Sequence, residues 1–225
     1  MTDIATFLLS LSILFPLMTG LVRWRTIRPN YYPLIILFCL GLASEMYTRY
    51  AITQNTMAWT TGNNLYVLVE SLLIPFQFMV WGYMSKKRIL FYALLILLLC
   101  GWILEYLVFG NIERLQPYFR MSYSLAIVLL SINMLNYLVI NEEKDLVKHP
   151  AFIICTGFII FFTYQLVYEG IYHIVSDLGT INTRILNAAF SIINCCCNIL
   201  YGIALVLLPT KSRIQWLEEK TVTRA

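Results

Sequence analysis

Residues 89–109 read ILFYALLILLLCGWILEYLVF, 21 residues in which Glu105 is the one charged side chain. An α-helix rises about 1.5 Å per residue, so such a helix would cross the hydrocarbon core of a bilayer, which is about 30 Å thick. The stretch therefore predicts a transmembrane helix.

Apolar stretches of similar length recur along the whole chain. We predict further spans at residues 4–22, 31–52, 62–84, 119–140, 150–173 and 184–208. With 60% hydrophobic and 12% charged residues, and a mean hydropathy of +0.73, the chain has too little polar surface to cover a soluble globule. The sequence predicts an all-α polytopic membrane protein whose single seven-transmembrane-helix bundle occupies residues 1–208, followed by a short tail at 209–225.

The basic residues predict an orientation for this bundle. With the N-terminus outside, twelve of the sixteen lysines and arginines fall in cytoplasmic segments, which is the asymmetry that the positive-inside rule describes. The first span has Asp3 before it and Arg23 after it, which favours a retained helix over a cleaved signal peptide. We therefore expect a cytoplasmic C-terminus. In the tail, Ile214, Trp216 and Leu217 lie among basic residues, which predicts an amphipathic segment along the inner interface.

Ionisable side chains inside the predicted spans concentrate in the outer half of the bundle. Such groups are costly in lipid, so each needs a partner, an aqueous cavity or a function. Glu70 has no basic residue within a turn of its own helix, and we expect its partner to come from another span. The candidate cations are Arg49, Arg120 and Arg184, and the candidate hydrogen-bond donors are Gln165 and Tyr168.

Helical spacing groups these polar residues into stripes on the third, sixth and seventh spans. Positions three, four or seven apart share one face of a helix, which we expect to turn away from lipid. The stripes predict an outward-opening, aromatic-walled cavity that binds a ligand. The candidate ligand-binding residues are Glu45, Arg49, Asn63, Tyr66, Glu70, Gln165, Tyr168, Glu169 and His173.

Simpler interpretations exist for several of these residues. The stripe from Asn187 to Tyr201 on the seventh span is typical of hydrogen bonds between helices. Tyrosines and tryptophans at this level are also typical of an interfacial aromatic belt. Glu45 and Arg49 are four residues apart and would neutralise each other on one helix.

Several chemistries are excluded by the residues that the spans lack. Every lysine falls in a predicted cytoplasmic loop or the tail, which rules out a retinal-type Schiff base. His149 and His173 lie at opposite faces of the predicted bundle, so neither a zinc site nor a bis-histidine haem site is expected. All six cysteines fall inside spans without a CxxC pattern. We expect no cofactor, no metal and no nucleic-acid partner.

Two functions remain open. The first is a receptor-like sensor that binds a small or lipid-like ligand and signals through a separate partner protein, because no loop is long enough to hold an output domain. The second is a small-solute transporter or an intramembrane enzyme in which Glu70 and Glu45 handle protons. Alternating access needs polar residues in both halves of the bundle, and the inner half has few. This distribution of polar residues favours the sensor over the transporter.

One resemblance adds a cellular setting. The residues that carry it are Phe15, Pro16, Leu17 and Gly20 before Arg23, Trp24 and Arg25, with Glu45, Asn63, Tyr66 and Glu70 in the second and third spans. In this pattern the chain resembles uncharacterised seven-helix inner-membrane proteins of Bacteroidota, often thought of as neighbours of signalling kinases. The resemblance implies a bacterial inner (plasma) membrane and a signalling role, and it assigns no chemistry.

Overall fold

The computed structural model describes residues 3–54, 58–83, 88–114, 116–141, 146–176 and 183–208, and none of these residues forms a strand. The α-helices are α1 (Asp3–Ser10), α2 (Leu14–Val22), α3 (Tyr32–Thr53), α4 (Ala58–Val80), α5 (Arg88–Ile103), α6 (Pro117–Asn141), α7 (Pro150–Ser176) and α8 (Thr183–Leu207). A 3₁₀ turn, Leu11–Ile13, joins α1 to α2, and a π-helical turn, Leu104–Val108, extends α5.

Six of the helical segments are long and apolar enough to cross a membrane, and the chain is an integral membrane protein. The six are Pro29–Thr53, Ala58–Val80, Arg88–Val108, Pro117–Ile140, Pro150–Ile171 and Ile185–Leu207. The apolar helix Phe7–Val22 is shorter, about 24 Å at the helical rise. The prediction of an all-α membrane protein is confirmed, while the count of seven spans and their orientation stay predictions.

Local chemistry explains where several helices begin and end. Proline, which has no N–H to satisfy, lies at the first position of α6 and α7, as Pro117 and Pro150. Helix α4 ends at Val80, four residues before the predicted end of its span, because Gly82 takes a positive φ of 88°. The amphipathic tail predicted at 209–225 lies outside the described residues.

The helices pack as a ring. Helix α3 packs against α2 and α4, α4 against α6, α6 against α7, and α7 against α8, while α8 returns to α1 and α2 and closes the ring. Helix α5 lies outside it, against α4 and α6. We call the end at which α1 and α8 begin the N-terminal end of the bundle, and the end at which α2 and α8 finish the C-terminal end.

The C-terminal end is closely packed. Phe78, Ile35, Ile154 and Leu205 are fully buried there. The Arg23 guanidinium donates to the carbonyl oxygens of Leu205 and Val206 at the end of α8 and of Leu208 just after it. A cation at this position satisfies carbonyls that the helix leaves without partners, so Arg23 ties α2 to α8.

Candidate functional site

The ring of helices encloses a cavity of about 470 Å³. Residues of α1, α3, α4, α6, α7 and α8 and of the turn after α1 line it, and the peripheral α5 contributes none of the described lining side chains. The lining extends to Trp59 and Asn187, close to the starts of α4 and α8. The cavity therefore lies in the part of the ring nearer the N-terminal end.

An aromatic floor lies where the cavity meets the packed end of the bundle. Phe38, Phe158 and Tyr201 all line the cavity. The Tyr201 ring centroid lies 5.6 Å from that of Phe38 and 5.5 Å from that of Phe158, and Phe158 in turn lies 6.2 Å from the fully buried Phe78. A Cβ atom on Gly157 would lie 2.5 Å from the Tyr201 ring, so the glycine permits this ring to lie against α7. We call Phe38, Phe158 and Tyr201 the floor.

Glu70 on α4 accepts a hydrogen bond on each of its carboxyl oxygens. The Tyr66 hydroxyl, one turn earlier, donates to Oε1 at 3.2 Å, and the Tyr123 hydroxyl of α6 donates to Oε2 at 2.8 Å. Gln165 of α7 donates its Nε2 to the Tyr123 hydroxyl at 2.7 Å. The Gln165 amide nitrogen can act only as a donor, so the Tyr123 proton remains available for Glu70. One hydrogen-bonded chain thus joins three helices across the cavity wall.

Gln165 has unused hydrogen-bonding capacity in this wall. Its side chain lines the cavity at 5% exposure, and its Oε1 atom has no hydrogen-bond partner among the described residues. Most buried polar atoms in proteins have a partner, and an unsatisfied one typically costs about 1–3 kcal/mol. A donor that reached Oε1 would therefore be stabilised there.

A buried ion pair lies beside this chain of hydrogen bonds. Arg120 of α6 contacts Glu169 of α7 at 3.2 Å, and its second terminal nitrogen donates to the Asn64 side-chain oxygen at 3.3 Å. The Asn64 amide in turn donates to the carbonyls of Ile112 and Arg114. Arg120 is thus positioned by two helices and neutralised by Glu169, as a buried cation requires.

The opposite wall is formed by α3 and the turn after α1. Glu45 lines the cavity, with the Ser10 side chain and the positive charge of Arg49 close by. Farther along, the Asn198 amide of α8 donates to the Ser12 hydroxyl at 2.9 Å. Part of the stripe on α8 therefore joins helices, as the simpler interpretation holds, while it also faces the cavity.

The structure brings seven of the nine predicted ligand-binding residues to this one cavity. They are Glu45, Asn63, Tyr66, Glu70, Gln165, Tyr168 and Glu169. Arg49 is not among the lining residues, and its guanidinium lies 4.7 Å from the centre of the Phe7 ring. The side chain of His173 lies outside the described residues. Ligand binding by any of the nine stays a prediction.

Two polar residues within the predicted spans form hydrogen bonds with the backbone at the starts of neighbouring helices. The Gln77 side chain accepts a hydrogen bond from the Leu34 N–H and donates one to the Asn30 carbonyl, at the start of α3. Glu105 accepts hydrogen bonds from the backbone N–H groups of Tyr118 and Phe119, at the start of α6. Both side chains therefore satisfy backbone groups that helix ends leave without partners.

Sequence reasoning did not place Arg120 and Tyr123 among the candidate site residues. Arg120 was a candidate partner for Glu70, but it pairs with Glu169, and Glu70 takes two tyrosine hydroxyls. The signal that could have found them is their spacing, since residues three apart on α6 share a face. Whether Glu70 pairs with an arginine or with a phenol depends on how α6 packs between α4 and α7.

The described residues contain no group of three or more His, Cys, Asp or Glu side chains placed to hold a metal ion. Comparison with known proteins finds no family model, no curated protein and no solved structure that matches the chain. The cavity and its side chains are therefore the basis for any functional inference.

Proposed function

We propose that this protein is a receptor-like membrane sensor that binds a small or lipid-like molecule in the cavity and signals through a separate partner protein. The observation that supports the proposal is the shape of the cavity. Its polar lining occupies one part of the ring and ends at the aromatic floor, beyond which fully buried apolar side chains such as Phe78 fill the bundle. A pocket closed at one end is suited to binding rather than to passage.

The output of such a sensor would pass through its helices. The described connections are short, and a ligand in contact with six elements of the ring would favour one arrangement of them over another. We propose a bacterial inner membrane as the setting, with the N-terminus outside, so that the cavity faces the exterior and the partner protein reads the cytoplasmic end.

The alternative function is a proton-coupled transporter or an intramembrane enzyme. The observation that favours it is that Glu45 and Glu70 line the same cavity, so two carboxyl groups are available for proton transfer. A transporter also requires that the cavity be reached from both sides of the membrane, which distinguishes it from a sensor.

Cysteine labelling in intact cells tests the orientation. Single cysteines at Ser85 and Ser212 should be protected from an impermeant thiol reagent added outside, while one at Gln54 should react. Peptide-level mass spectrometry separates each new site from the six native cysteines. Reaction at Ser85 and Ser212, with protection at Gln54, would reverse the proposed orientation.

A second labelling experiment tests the cavity itself. Ser44 lines the cavity, whereas Ser131 is fully buried elsewhere, so Ser44→Cys and Ser131→Cys make a matched pair of nearly isosteric changes. Small impermeant reagents should label Ser44→Cys from the outside alone and leave Ser131→Cys unreacted. Labelling of Ser44→Cys from both sides would contradict the sensor proposal and support the transporter. No labelling from either side would refute the ligand-accessible cavity.

A further inference from the structure

We infer that the ligand of this cavity is a small organic amine, with its ammonium group on Glu70 and its apolar body among the aromatic side chains. The inference rests on the proposed binding function and adds the chemical class of the ligand. It depends on the charge of the lining, on an unused acceptor and on the aromatic walls.

The described lining carries more acidic than basic side chains. Glu45, Glu70 and Glu169 line the cavity, and Arg120 is the basic residue among the described lining side chains. Arg120 is paired with Glu169. Glu70 is hydrogen-bonded to two neutral phenols, which leaves its charge without an ion pair among the described residues. A carboxylate in this position attracts a cation from the ligand, because a low dielectric strengthens the attraction between opposite charges.

The acceptors around Glu70 match the needs of an ammonium group. An ammonium has three N–H donors and no acceptor, so it requires several oxygen atoms at once. Glu70 supplies two of them. The Gln165 Oε1 atom is buried without a partner, and Gln165 is linked to Glu70 through the single hydroxyl of Tyr123. Glu45 lines the same cavity and supplies a second carboxyl group.

Aromatic side chains complete the lining. Trp59, Phe161, Phe162 and Phe190 lie on walls of the same cavity, above the floor. Aromatic faces attract organic cations as well as apolar groups, so they suit a molecule that carries both. The cavity volume of about 470 Å³ lies within the range of small-molecule sites, which extends from about 300 to 1,000 Å³. A monocyclic amine is well within this size.

The same features disfavour an anionic ligand. The two terminal nitrogens of Arg120 are engaged by Glu169 and Asn64, so a carboxylate that took either nitrogen would have to break a buried ion pair or a buried hydrogen bond. A ligand carboxylate would also lie beside the carboxyl groups of Glu45 and Glu70. A neutral ligand would bring no positive charge to Glu70.

The test uses three probes of one shape and different charge: phenethylamine, 2-phenylethanol and 3-phenylpropionate. Each is added to full-length Ser44→Cys protein in membranes, and the rate of thiol labelling at residue 44 is followed. Because a charged hydrogen bond is about twice as strong as a neutral one, we expect phenethylamine to slow labelling about tenfold more than either other probe. In the same background, Glu70→Gln should reduce the protection given by phenethylamine about tenfold.

The matched control is Glu113→Gln, the same substitution at an exposed residue between α5 and α6, and it should leave protection by the amine unchanged. If Ser44→Cys is never labelled, the accessible cavity and the proposed function both fail. If it is labelled but the alcohol or the acid protects as well as the amine, or if the amine protects equally in Glu70→Gln, the amine inference is overturned while the cavity stands.

Discussion

The two ends of the bundle are formed by the same helices, yet they use their interior in opposite ways. Along α8, Asn187, Asn194 and Asn198 line the cavity, and the next two turns bring Ala204 and Leu205, which are fully buried. The N-terminal end thus holds space and hydrogen-bonding groups, while the C-terminal end holds close-packed apolar side chains. We expect substitutions to reduce stability at the packed end and to affect binding at the cavity end.

Removing a large side chain from the packed end should give the largest effect. Phe78 is fully buried and contacts Phe158 and Trp81, so Phe78→Ala should lower the free energy of unfolding by about 3–5 kcal/mol. Phe161→Ala provides the contrast, since Phe161 is half-buried and borders existing space. Reversible unfolding of the two variants in mixed micelles measures the difference. Equal losses would show that the two ends are packed alike.

A steric change at the floor should have the next largest effect. In Gly157→Ala the new Cβ would lie 2.5 Å from the Tyr201 ring, and overpacking of this kind typically costs about 1–3 kcal/mol. Gly170→Ala lies on the same helix, but its Cβ would lie 3.7 Å from the Met121 methyl group, which is an ordinary contact. The unfolding midpoint should therefore fall for the first variant alone. A neutral Gly157→Ala would mean that Tyr201 is free to move from the floor.

A comparison of the half-buried Glu105 with the exposed Glu113 tests whether Glu105 stabilises the start of α6. Glu105→Ala removes the acceptor for two backbone N–H groups at the start of α6, so we expect a loss of about 0.5–2 kcal/mol, as for other helix caps. Glu113→Ala changes an exposed carboxyl nearby and should be nearly silent. Thermal unfolding of the two variants measures this difference in stability. A silent Glu105→Ala would leave that glutamate without a structural role.

The smallest change in stability is expected at the centre of the cavity. Glu70→Gln keeps one oxygen acceptor for the phenols of Tyr66 and Tyr123, so the free energy of unfolding should change by about 1 kcal/mol or less. The same variant should lose amine binding, so binding should fall while the free energy of unfolding hardly changes. A loss of stability as large as that of Phe78→Ala would instead make Glu70 a structural tie between α4 and α6.

The helices themselves were predictable from the sequence. Each apolar stretch must satisfy its own backbone hydrogen bonds in lipid, so its length and composition decide the structure locally. The described bounds agree with the predicted spans within about four residues, and the largest differences lie at the two ends of α4, which begins at Ala58 and ends before Gly82, whose positive φ stops the helix. The stripes on α4 and α7 were predictable for the same reason, because helical spacing places Asn63, Tyr66 and Glu70 on one face.

Partners between helices were not predictable, because they depend on which faces meet. Glu70 and Glu105 are both glutamates in apolar helices, but Glu70 meets the Tyr123 side chain of α6 in the cavity wall, and Glu105 meets the first backbone N–H groups of α6. Composition and spacing determined the membrane class, the helices and the polar faces. Only the tertiary structure decided that the helices other than α5 close into a ring and that Tyr201 of the floor lies against Gly157, because contact between helices depends on the shapes of facing side chains rather than on any local pattern.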